Sequence, residues 1–132
     1  MIRTSKLALC GVVVGALVAG GSVAQAQMSH VKVDPNLAKR GQFLWQSRGC
    51  TGCHSIGKGR VSGPDLLGVT ERRSVGWLKA WLKSPESMYE SDSIAKQLLV
   101  DAKNIKMPNL HLSEPDIDAL INYLAQESQK KH

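Results

Sequence analysis

The sequence predicts an all-α domain, and three observations carry that prediction. Apolar residues recur at helical spacing in four separate segments, and each segment has a capping residue in front of it. No stretch alternates with period two, and no turn dipeptide marks a hairpin. The chain is 132 residues long with only one Phe, three Trp and two Tyr, enough for one small domain with few large core side chains.

The elements follow in order. Asp34-Pro35 reads as an N-cap with proline in the first turn, and Leu37, Gly41, Leu44 and Trp45 continue a helix over 35–47. Residues 56–68 hold four glycines and Pro64, which predicts a loop. A second helix starts near Ser74, buries Trp77, Leu78, Trp81 and Leu82, and stops at Ser84-Pro85. Asp92 caps a third, with Ile94, Leu98 and Leu99 inward and Asn104 as its end. Residues 105–112 return to loop. Ser113-Glu114-Pro115-Asp116 opens the last helix, whose inner face carries Ile117, Leu120, Ile121 and Leu124. The polar tail 126–132 is expected to fray.

Ahead of this domain, Arg3 and Lys6 precede the apolar run LALCGVVVGALVAGG and an A-x-A site at Ala24-Gln25-Ala26. Residues 1–26 therefore read as a cleaved secretory signal peptide, with Cys10 lost in its apolar region. The rival is a retained membrane anchor, weak because the run is short and rich in Gly and Ala. Residues 27–132 form the predicted domain, with its core at about 35–125. Removing Arg3 and Lys6 lowers the net charge from +6 to +4. The basic residues are scattered without a run, which argues against nucleic-acid binding and suits steering of an acidic protein partner.

The chemistry concentrates in CTGCH, Cys50 to His54. A Cys50–Cys53 disulfide would close too short a loop to remove much chain entropy. A thioredoxin-like redox pair needs a preceding strand, which is missing. Zinc needs four ligands, and His30, His111 and His132 stand singly with unrelated spacing. Covalent haem attachment fits: two sulfurs on a tight turn reach two vinyl groups of one porphyrin edge, and the next imidazole bonds the iron. A haem would also supply the apolar bulk that so few aromatics leave wanting.

With CTGCH near the N-terminus, GPDLLGVTERR downstream, and MPNL before a helix carrying Leu120 and Tyr123, the chain resembles the class I c-type cytochromes. The resemblance covers about residues 35–125. It implies a small cytochrome c fold, about four helices wrapped round one covalently bound haem c, and a one-electron carrier rather than an enzyme. It implies His54 as one iron ligand, Cys50 and Cys53 as attachment sites, and the Pro64 carbonyl as acceptor for the His54 ring. For the sixth position Met28, Met88, Met107 and His111 are candidates. Met107 is favoured because Pro108 stiffens its loop and Met/His ligation is the usual arrangement. His111 remains the rival.

Arg72, or Arg73 in its place, is expected to face a haem propionate, as could an indole N–H of Trp77 or Trp81. Gly41 and Trp45 are expected to cross Leu120 and Tyr123. The implied location is the periplasm, or the periplasmic face of a membrane if the leader is retained. The implied partners are redox proteins with acidic docking surfaces, met by lysines such as Lys58, Lys79 and Lys106. Two alternatives stand: a subunit of a larger oxidoreductase, and a peroxidase or gas sensor with a labile distal ligand.

Overall fold

A computed structural model describes residues 30–130, so the predicted leader, Cys10, Met28 and His132 lie outside the described residues. Six α-helices and one short 3-10 turn are present, and no strand occurs among the described residues. Helix α1 spans Pro35–Ser47, with the Asp34 carboxylate accepting from the N–H groups of Asn36 and Leu37. The 3-10 turn spans Cys50–Gly52. Helices α2 (Val69–Arg72), α3 (Val75–Lys83), α4 (Pro85–Ser91), α5 (Ser93–Asp101) and α6 (Glu114–Gln129) follow. Ser74, Asp92 and Ser113 cap α3, α5 and α6 by accepting from the backbone of Trp77, Ala95 and Asp116. Among the described residues, no helix is long and apolar enough to cross a membrane.

The core forms where α1 crosses α6, the most extensive interface in the molecule. Leu44 and Trp45 pack against Leu120, Tyr123 and Leu124, as expected of this pair. At the crossing, a Cβ on Gly41 would lie 2.0 Å from the Ala119 carbonyl oxygen, so only glycine lets the backbones approach this closely. Arg40 clamps the same pair of helices by donating to Asp116 from Nε at 3.2 Å and Nη2 at 2.6 Å.

Four sequence expectations change. The short helices α2 and α4 were not foreseen. Pro85 ends α3 but also occupies the first turn of α4, where its missing N–H costs nothing. Helix α5 starts after the expected Asp92 cap but ends at Asp101, not Asn104, and its buried residue is Ala95, while Ile94 faces solvent. Helix α6 runs on to Gln129 instead of fraying at 126; Ser128 Oγ donates to the Leu124 carbonyl and accepts from Gly68 N–H.

Candidate functional site: an apolar cavity lined by two thiols, an imidazole and a thioether

Past α1 the chain turns on Gly49, whose φ of 75° is a left-handed conformation that suits glycine. The 3-10 turn then brings both the Cys53 and His54 N–H groups to the Cys50 carbonyl, at 3.2 and 2.9 Å. The two thiols are thus carried on one tight turn and are not joined to each other. Burial pushes the Cys50 thiol up from its ordinary value.

His54 is held from outside the turn. Its Nδ1 lies 2.8 Å from the Pro64 carbonyl oxygen. A carbonyl only accepts, so Nδ1 carries the proton and Nε2 keeps the free lone pair. Burial lowers the pKa of His54, with the Pro64 bond opposing, which keeps the ring in the neutral, metal-binding form. Gly63 makes room for the ring: a Cβ there would sit 2.4 Å from His54 Cε1. The 55–68 loop is itself gathered by Asp65. Its carboxylate accepts from Ser55 Oγ at 2.7 Å and from the N–H groups of Gly57, Lys58, Gly59 and Leu67 at 2.8–3.0 Å.

Cys50, Cys53, His54 and Met107 all line one cavity of about 260 Å³, bounded by apolar side chains such as Trp45, Leu78, Leu82 and Leu120. Well-packed interiors leave few voids larger than a water molecule, so this space is built for a bound group. The residues fit a haem. The lining is mostly apolar, it carries two thiols and a neutral imidazole, and Met107 supplies a soft thioether. Trp77 Nε1 is buried with no hydrogen bond of normal geometry, and its nearest polar neighbour is the Asp92 carboxylate, whose pKa it helps to lower.

His111 is exposed and Met88 stays off the cavity wall, so of the sixth-ligand candidates in the described residues Met107 alone lines it. Arg72 and Arg73 both line the cavity. The Arg72 guanidinium donates to the carbonyls of Leu67 and Asp65, and Arg73 lies over the Trp77 ring at 5.5 Å. Trp81, expected to serve packing or a propionate, stacks on Trp77 and also directs its indole N–H to Met107 Sδ at 3.1 Å.

Asp65, Gly63 and Tyr89 were missed as site residues. An aspartate among glycines after a proline is a turn signal that could have marked Asp65. Tyr89, whose hydroxyl accepts from Met107 N–H at 2.9 Å, meets its partner only through tertiary structure.

The cytochrome c family profile matches residues 38–128. Among solved structures, a cytochrome c from Rhodothermus marinus superposes with a TM-score of 0.70 at 30% identity, covering 83% of this chain and 90% of that one. Among curated proteins, cytochrome c oxidase subunit 2 of Alkalihalophilus pseudofirmus is 28% identical over 67% of this chain. A nitric oxide reductase subunit of Stutzerimonas stutzeri is 30% identical over 68% of it. The matched regions span 25% and 58% of those two relatives.

Proposed function

This chain belongs to the cytochrome c family, and from that premise we propose that it is a periplasmic one-electron carrier using His54 and Met107 as axial ligands. It is a class I c-type cytochrome with covalently attached haem c. The iron of that haem supplies one-electron chemistry between ferrous and ferric states. Cys50 and Cys53 would hold the group through thioethers, His54 through Nε2, and Met107 through Sδ. The Pro64 carbonyl orients the imidazole, and Gly63 leaves it the space to be so oriented. Leu78, Leu82, Leu120 and Leu124 keep water from the interior. Arg72 and Arg73, which line the cavity, are the proposed basic groups for propionates. Lys58 and Lys106 are the proposed contacts for an acidic partner.

The observation that supports this reading is the convergence of Cys50, Cys53, His54 and Met107 on one apolar cavity. Its test is spectroscopic. The oxidised holo-protein is expected to show the weak near-infrared sulfur-to-iron absorption, and Met107→Ala to abolish it. Survival of the band in that variant would move the ligand elsewhere. Ferrous protein mixed with carbon monoxide at neutral pH is expected to show no prompt shift; a prompt shift would favour a sensor or peroxidase.

A second reading has a specific basis: two relatives are named as subunits, and this chain matches only part of each. In that reading the chain passes electrons within a larger oxidoreductase. Gel filtration of native extract separates the two, because a free carrier elutes at the size of the chain itself. The mass of the native protein reports in one spectrum whether residues 1–26 are removed and haem is attached.

A further inference from the structure

Met107 is gripped at two points. Trp81 Nε1 donates to its sulfur at 3.1 Å, and its own N–H donates to the Tyr89 hydroxyl at 2.9 Å. The grips come from different helices, α3 and α4, and are locked to each other. The Trp81 and Tyr89 rings meet edge to face, with centroids 5.2 Å apart and planes at 82°. Trp81 also stacks on Trp77 at 5.3 Å with planes only 9° apart. Ile105 and Lys106 are exposed, and Lys103, Asn104 and His111 adopt positive φ.

We infer that Trp81 and Tyr89 are positioning residues for the Met107 sulfur, Trp81 setting how strongly it donates and Tyr89 holding its backbone in place. The inference rests on the reading of Met107 as an axial ligand. A thioether sulfur has two lone pairs, so one can bond a metal while the other accepts the indole N–H. A hydrogen bond to the second pair withdraws electron density from sulfur. A poorer donor favours the ferrous state, so this contact raises the reduction potential. The Tyr89 hydroxyl bonds only the backbone of Met107, so losing that hydroxyl while keeping the ring against Trp81 loosens the segment without removing the donor to sulfur. The two roles are therefore separable by experiment.

The test compares holo-protein of the wild type, Trp81→Phe and Tyr89→Phe by reduction potential, near-infrared band and imidazole titration. Trp81→Phe keeps a ring against Trp77 and loses the donor. It is expected to keep the band and to lower the potential, at a scale of about tenfold in the ferrous–ferric equilibrium, or about 59 mV for one electron. Tyr89→Phe is expected to leave the potential close to wild type. Imidazole should displace Met107 there at about fivefold lower concentration, the scale of one neutral hydrogen bond.

An unchanged or raised potential in Trp81→Phe, with the band intact, overturns the inference and leaves Met107 as ligand. Absence of the band from the wild type, or its survival in Met107→Ala, overturns the ligand assignment and the inference with it. Should Trp81→Phe yield no holo-protein, indole hydrogen exchange in the wild type decides. Slow exchange of Trp81 Nε1–H supports the inference, and exchange at the rate of free indole overturns it.

Discussion

Asp65 shows how one side chain places another, His54, that it never touches. Its carboxylate gathers five donors from both ends of the 55–68 loop, and its neighbour Pro64 presents the carbonyl that holds His54. Burial opposes ionisation of Asp65. The Ser55 hydroxyl and the N–H groups of Gly57, Leu67 and Gly59 outweigh it and hold the carboxyl well below the usual carboxylate range. A folded-state pKa below the unfolded value of about 3.9 adds stability that is complete above that value and is lost as pH falls toward the lower one. Wild-type holo-protein should therefore lose melting temperature below about pH 4 more steeply than Asp65→Asn. At pH 7 the variant should melt about 5 °C lower, the scale of one lost interaction in a domain this size. Parallel melting curves across pH would remove Asp65 from this role. Cys50, Cys53 and His54 were legible because they sit in five consecutive residues, and Met107 because Pro108 and a helix frame it. Asp65 and Tyr89 act through partners 2–18 residues away, most of them six or more, and nothing periodic in the sequence announces such bonds.

At the scale of elements, the first and last helices form the frame on which the cavity is hung. Their crossing depends on backbone contact at Gly41, where a Cβ would meet the Ala119 carbonyl oxygen at 2.0 Å and Tyr123 Cβ at 2.7 Å. Neither neighbour is a flexible side-chain tip, so the helices themselves would have to part. Gly41→Ala should cost about 3 kcal/mol in urea unfolding of the holo-protein, the upper part of the range for overpacking. Gly76→Ala in α3 is the matched control. A Cβ there meets nothing within 4 Å, and the exchange should stabilise the helix by about 0.5 kcal/mol. Equal effects at the two sites would mean that the crossing is not tight. The four longer helices were legible from their caps, since Asp34, Ser74, Asp92 and Ser113 each accept from the first turn that they precede. Helices α2 and α4 have no side-chain cap and only 4 and 7 residues, so neither periodicity nor capping could reveal them.

Across the whole molecule the relevant quantity is where the positive charge remains unneutralised. The sequence carries +6, but its lysines are not equivalent. Lys79 bonds Asp118 at 2.6 Å and Lys83 bonds Glu114 at 3.1 Å, so both are paired on the surface. Lys106 lies on the cavity wall beside Met107, over the Tyr89 ring at 5.9 Å, and among the described residues no carboxylate lies within 4 Å of it. An anion approaching the cavity mouth should feel Lys106 more than Lys79. Ferricyanide, a small trianion, tests this without a known partner. Its rate of oxidising the ferrous protein should fall as ionic strength rises from about 10 to 150 mM, where the screening length shrinks from about 30 to 8 Å. At the lower salt, Lys106→Gln should slow the reaction about threefold, and Lys79→Gln much less. Both substitutions remove one unit of charge, so a larger effect at Lys106 would reflect position, not net charge. Equal slowing would reduce steering to net charge alone, and a rate indifferent to salt would remove it.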